Sequence, residues 1–367
     1  MSSLPITANG KHQYIDRASG GIKSETLFGD GPIGWLYSTA RESNSLLLRL
    51  ATSAWVSRLL AHISYDSGLL SRWSPAADFV RRLGIDETEC VTPLGPRPRL
   101  RDVFERKIRY WECRPMPDDA ACVLSPCDAR MLQGSFVEQP LLQVKEKFFN
   151  LGELLGPANP HWLARFAGGD WAILRLTPDK YHYNHVPVTG DIVDFYAMDG
   201  QFHSCNPSAV IALATTYSKN LRVVTIIDSD VPGGTGVGLV AMIEVAALMV
   251  GNIVQCYAEN GYASAGSIYH GMRLERGAVK SLFRPGSSTV ILLFEPGRIS
   301  FDVDLVANAK RQDVWSRFSR HFGEGLVETD VAARSSVASR RDGPLSSGAP
   351  LGVANSITGG RDAVLLG

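Results

Sequence analysis

Two histidines three residues apart, a carboxylate behind an apolar run and a doubled serine ahead of another are the features of this chain that could do chemistry. His182 and His185 lie in TPDKYHYNHVPVTG, residues 177–190. Imidazole trades protons near neutral pH, which suits a general base. On a helix this spacing would put both rings on one face, and in a loop both could converge on one substrate. A metal pair lacking its third ligand, or two surface histidines, would read the same. Asp128 stands in SPCDAR, residues 125–130, directly after an apolar strand-like run. An aspartate in a turn commonly bonds its local backbone; the catalytic alternative is that it orients a histidine and stabilises the imidazolium. FRPGSSTVILLF, residues 283–294, places Gly286, Ser287, Ser288 and Thr289 in a turn that opens into a strongly apolar strand. That is either a tight turn before a core strand or a strained turn at which a base activates a serine.

The elements that must position these residues read as mostly β. Ala121–Leu124, Trp171–Leu176, Asp191–Tyr196, Val223–Ile227, Leu239–Val245, Ile253–Tyr257 and Thr289–Phe294 are apolar or alternating and bounded by turn residues, the pattern of strands. GGTGVG, residues 233–238, lacks the helix and the distant acidic partner of a dinucleotide site and reads as a turn between strands. Residues 1–40 read as loop. Residues 45–63, SLLLRLATSAWVSRLLAHI, read as a helix too interrupted to span a bilayer, where about 20 mostly apolar residues are needed. It is either a buried core helix or one lying shallowly in a membrane surface, with Arg72, Arg81 and Arg82 nearby for anionic lipid. Residues 91–99, with three prolines and a glycine, mark a boundary. Beyond Phe322 there is no aromatic residue, and a disordered tail is expected over 323–367. The expected organisation is a helical, membrane-associating region over 1–95, a β-rich catalytic domain over 96–322 and that tail: an α+β chain with a mostly antiparallel core.

Lys plus Arg equals Asp plus Glu at 37 each, so the basic excess of a nucleic-acid binder is missing. The six cysteines form no CxxC pair and fit neither a zinc site nor a dense disulfide framework, so reduced thiols are expected. Met1 to Gly10 shows no basic stretch followed by an apolar run, which favours a cytosolic compartment.

Taken in order, the aspartate, the His-x-x-His and the Gly-Ser-Ser-Thr before an apolar strand resemble the phosphatidylserine decarboxylase family. PIGWLYS (32–38), VFERKIR with ECRPMP (103–117), VLSPCDARM (123–131), LLQVKEKFFNLGELLG (141–156), FHSCNPSAV (202–210) and IEVAALMVGNIVQCY (243–257) carry the resemblance over roughly residues 30–310. The family's glycine before the reactive serine is Ser287 here, its glycine after the aspartate is Ala129, an arginine between the histidines is Tyr183, and a glutamate upstream is Val279. Ser281 is a further departure.

The resemblance implies a self-cleaving proenzyme. Asp128 would accept a hydrogen bond from His185, and His185 would take the proton of Ser288. The Ser288 oxygen would attack Ser287, and the chain would break between Ser287 and Ser288, with Gly286–Ser287 as the competing register. Ser288 would become a covalent pyruvoyl cofactor, an electron sink for decarboxylation, and no metal is called for. His182 would position substrate or return a proton. The implied activity converts phosphatidylserine to phosphatidylethanolamine at the cytoplasmic side of the membrane by a peripheral enzyme of large and small chains, with a homodimer left open. The rival readings are a decarboxylase of a soluble aromatic amino acid, a serine hydrolase using the same three groups, and an unprocessed lipid-surface binding protein.

Overall fold

The structure, a computed structural model, describes residues 11–27, 76–95, 98–137, 148–213, 215–247, 252–284 and 288–341. Its strands are β1 (Gln13–Asp16), β2 (Ile22–Ser24), β3 (Cys122–Leu124), β4 (Ala129–Ser135), β5 (Asp170–Leu176), β6 (Tyr183–His185), β7 (Gly190–Met198) and β8 (Arg222–Asp228). They continue with β9 (Leu239–Ala246), β10 (Ile253–Ala258), β11 (Arg273–Leu274), β12 (Val279–Phe283), β13 (Ser288–Phe294), β14 (Ile299–Phe301), β15 (Thr329–Val331) and β16 (Ser336–Arg340). Among the described residues one large sheet runs β11-β7-β8-β9-β13-β5-β4-β15-β1-β2, and two small ones run β10-β12-β6 and β14-β16-β3. Pairing in the large sheet is antiparallel except between β1 and β15. The chain is α+β, and all seven stretches expected to be strands are strands.

The large sheet is covered on both sides. Val290, Leu292 and Phe294 of β13 face a core shared with Val123, Phe283 and Ala338 of the small sheets and with Val186 just after β6. Ile291 and Leu293 face the other way, into a core with Phe148, Phe166, Phe318 and Phe322. Short helices on that side include Leu151–Leu155, Pro160–Phe166 and Arg317–Phe322. Burial on both faces explains why STVILLF is apolar without alternation, as buried strands are. Replacing Leu292 by Ala should cost about 2–5 kcal/mol.

Two expectations change. The tail expected from 323 instead carries β15 and β16, and β15 enters the large sheet between β4 and β1. Short polar strands such as SVASR lack the apolar signature because they pair through backbone and a single buried face. The loop expected over 1–40 likewise contains β1 and β2. Both ends are fastened by buried charge: Arg175 of β5 bonds Glu25 at 2.6 Å and Glu328 at 2.7 Å, and His12 Nε2 meets Glu328 at 2.6 Å. The helix expected over 45–63 and residues 342–367 lie outside the described residues. The GGTGVG stretch is a turn between β8 and β9, with Gly233, Gly236 and Gly238 at positive φ. No helix among the described residues is long and apolar enough to cross a membrane.

Candidate active site

Asp128 sits in the turn between β3 and β4, and a second turn locks it there. Ser125 donates its N–H to Ser335 O at 2.8 Å and accepts Arg334 N–H at 2.8 Å. The Ala333 N–H reaches Asp128 Oδ1 at 2.8 Å. Arg114, at the end of the short helix Tyr110–Cys113, spans both carboxylate oxygens, with Nε to Oδ1 at 2.9 Å and Nη2 to Oδ2 at 2.8 Å. Glu89 holds the same guanidinium at 2.8 and 3.1 Å. Burial pushes the Asp128 pKa up, but the Arg114 bonds and charge, with Lys180 and the Ala333 N–H, overcome it and bring it down to about 2. Asp128 forms part of the wall of a cleft of about 480 Å³, with Arg17, Arg114, Lys180 and Asp330.

His185 ends β6 and is fully buried. Its backbone N–H bonds Pro126 O at 2.6 Å, so the histidine strand abuts the aspartate turn. The side chains do not bond each other: Nδ1 lies 2.9 Å from Gly277 O and Nε2 lies 3.3 Å from the Tyr181 hydroxyl. The expected Asp128–His185 hydrogen bond is thus not made here, because the planar Arg114 fork takes the carboxylate. Asp128 still favours the imidazolium through space. Burial dominates, however, and with Arg334 and Arg114 also opposing charge it lowers the His185 pKa to about 4. A carbonyl can only accept, so Nδ1 carries the proton and Nε2 is the basic atom. His182 is equally buried, but its ring meets Phe104 at 4.9 Å and its Nδ1 lies 2.7 Å from Lys180 O. The chain is extended here, and positions three apart point to opposite sides, so the two rings have different surroundings.

Ser288 opens β13, paired with Ala246 on one side and Leu176 on the other. It is fully buried, and its hydroxyl has no hydrogen-bond partner among the described residues. Gly286 and Ser287 lie outside the described residues. Ser288 is on the face of the sheet that also carries Glu244, two positions along β9 from Ala246. Glu244 and Lys280 form an ion pair at 2.7 Å with neither side chain exposed. Gln255 donates to Glu244 at 2.9 Å, Asn184 at 3.3 Å, and Ser281 donates as well.

The sequence reading missed Arg114, Tyr181, Glu244 and Lys280. Arg114 and Tyr181 stood inside the stretches ECRPMP and TPDKYHYNHVPVTG, but nothing in residue type or spacing there gave them partners. Of the departures, Val279 and Tyr183 meet in one buried cluster with Ile108, Tyr110, Tyr181 and Leu282 beside His185. The cysteines are all free, four of them buried.

The family described as phosphatidylserine decarboxylase matches residues 100–317 of this chain. A protein named phosphatidylserine decarboxylase proenzyme from Chlamydia trachomatis serovar L2 is 30% identical over 313 residues, covering 85% of this chain and 96% of that protein. The proenzyme of the same name from Bordetella avium is 36% identical over 231 residues, covering 60% of this chain and 75% of that protein. Phosphatidylserine decarboxylase proenzyme 3 of Schizosaccharomyces pombe is 33% identical over 235 residues, 63% of this chain but only 22% of that longer protein. With the aspartate turn, the histidine strand and the serine strand gathered in one β core, the chain belongs to the phosphatidylserine decarboxylase family and is by that membership a carboxy-lyase.

Proposed function

We propose that the chain is a self-processing proenzyme that becomes a decarboxylase of phosphatidylserine, with Asp128, His185 and Ser288 carrying out the processing. The observation that carries this reading is the Ser288 hydroxyl: fully buried, without a hydrogen-bond partner among the described residues, and at the first position of a central strand. A buried unpaired hydroxyl is costly, and such a cost is commonly kept where chemistry uses the group. The relatives named as proenzymes support it.

The steps follow from the groups. The Ser288 Oγ proton passes to His185, to which the Ser288 hydroxyl is not hydrogen-bonded before reaction, and Oγ bonds to the carbonyl carbon of Ser287. The amide C–N bond breaks as the Ser288 nitrogen takes the proton back, leaving an ester. Loss of the Cα proton of residue 288 expels the Ser287 carboxylate and cuts the chain into 1–287 and 288–367. Water then replaces the nitrogen of residue 288, releasing ammonia. Asp128, kept anionic by Arg114, favours the charged His185 through space. The pyruvoyl group left at 288 supplies an electron sink for the pair released as carbon dioxide departs. His182 is assigned to positioning substrate or returning a proton.

The two products would stay together. β13 lies between β9 and β5, and β15 between β4 and β1, so the small chain is woven into the sheet of the large one. Docking to lipid is assigned to residues 45–63 at the cytoplasmic membrane surface. Tyr183 and Val279, aromatic or apolar where the resemblance implies an arginine and a glutamate, lie in one buried cluster beside His185 and favour a second reading, decarboxylation of a soluble aromatic amino acid. Carbon dioxide release from phosphatidylserine liposomes, measured beside free serine and tryptophan, separates the two. Release from the liposomes alone supports the lipid assignment, and release from a free amino acid alone replaces it.

A further inference from the structure

Beyond His185 the structure holds a chain of hydroxyls with an unusual end. The Tyr181 hydroxyl, 3.3 Å from His185 Nε2, lies 2.7 Å from the Tyr262 hydroxyl. The Tyr262 oxygen in turn meets both polar groups of one residue, accepting the Ile108 N–H at 3.1 Å and lying 3.0 Å from Ile108 O. The terminus therefore offers one donor and one acceptor.

We propose that Tyr181 and Tyr262 are positioning residues for His185, forming with Ile108 a hydrogen-bond chain whose direction reverses when His185 gains a proton. With His185 neutral, Ile108 N–H donates to Tyr262, Tyr262 to Tyr181, and Tyr181 to Nε2. With His185 protonated, Nε2–H donates to Tyr181, Tyr181 to Tyr262, and Tyr262 to Ile108 O. Apart from the N–H bond that His185 gains, only hydroxyl rotors turn, and the Nε2 and hydroxyl groups are hydrogen-bonded in both states. At the far side of the ring Gly277 O fixes Nδ1–H, and Gly277 adopts φ +76°, with a methyl there reaching 2.6 Å from the Met116 sulfur.

The surroundings keep the hydroxyls neutral. Burial raises the pKa of Tyr181 well above its ordinary value, and burial also raises that of Tyr262. The other groups facing His185 are the Tyr110 ring at 4.7 Å, with Asp128, Arg114 and Arg334 acting through space. Lys107 lies 5.1 Å over the Tyr262 ring. A buried imidazolium is costly, and an acceptor that can pass its own proton onward lowers that cost. The inference rests on His185 being the processing base, but its test reads His185 itself.

The experiment is nitrogen NMR of histidine-labelled chain carrying Ser288→Ala, with His185 identified by its loss in His185→Gln. The expected spectrum at neutral pH is an Nδ1–H tautomer with bare Nε2. Adding Tyr181→Phe, which keeps the ring stacked on Tyr183, should lower the His185 midpoint by about one unit, because the bond lost to the cation is worth more than the bond lost to the neutral ring. Tyr262→Phe should shift it the same way by less. A midpoint that stays put or rises in Tyr181→Phe, or an Nε2–H tautomer, overturns the proposal. A wild-type chain that never cuts itself strikes instead at the processing reading, and the titration still decides whether the hydroxyl chain governs His185.

Discussion

Arg114 grips Asp128 through two nitrogens at 2.9 and 2.8 Å while Glu89 holds the same guanidinium from the other side. The carboxylate is therefore aligned by an arginine and not by the histidine beside it. Arg114→Gln should leave a buried carboxylate supported mainly by the Ala333 N–H, destabilising the fold by about 3–5 kcal/mol. Self-cleavage should slow as well, since Asp128 would bind a proton more readily. Arg114→Lys should recover only part, because an ammonium cannot reproduce the fork. Denaturant midpoints and cleavage time courses of the two variants check this.

Acid should weaken the fold in two windows. His185 has a folded pKa of about 4 against an ordinary 6.5, so between these values the unfolded chain binds more protons and stability falls as pH drops. Asp128, at about 2 against 3.8, extends the loss to lower pH. Each window is worth on the order of 3 kcal/mol. Chemical denaturation of the uncut Ser288→Ala chain at about pH 7 and about pH 5 should show the first loss, and Asp128→Asn should abolish the second. Because the base must be neutral to act, the acid limb of self-cleavage should fall near the lowered midpoint of His185, well below 6.5.

The Glu244–Lys280 pair, unexposed on both sides, should be costly to break by one end only. Lys280→Met leaves Glu244 buried without its cation and should cost about 3–5 kcal/mol, whereas Glu244→Gln with Lys280→Met should recover much of it. Thermal or urea unfolding of the single and double variants measures the difference.

How far the sequence revealed the molecule depended on where the signal resided. The seven expected strands were legible because their side chains are apolar on one or both faces, Asp128 and Ser288 because they stand at the edges of such runs, and His182 and His185 because of their type and spacing. β1, β2, β15 and β16 were not legible: their polar residues pair through backbone, and β1 and β15 meet across nearly the whole length of the chain. The same distance hid Ala333 as a donor to Asp128. Arg114 and Tyr181 were hidden for another reason: a guanidinium or phenol has no role until its partner is known. The position of Asp128 was readable, and its hydrogen-bond partner was not.

Membrane docking should depend on residues 45–63. Changing Leu46, Leu50 and Trp55 to polar residues should reduce binding to phosphatidylserine liposomes, and added salt should weaken it further because part of the attraction is electrostatic. Self-cleavage, being intramolecular, should change less. Liposome co-sedimentation beside a gel of the processed chains checks both.

Whether Ser288 cuts its own chain is read from the intact mass and N-terminal sequence of the purified protein. Two chains that co-purify are expected, the smaller beginning at position 288 with a blocked terminus, and a single uncut chain is expected for Ser288→Ala. A chain beginning at 287 would move the reactive serine one residue upstream, and a wild-type protein that remains at the full 367 residues under every condition would rule out self-cleavage at Ser288.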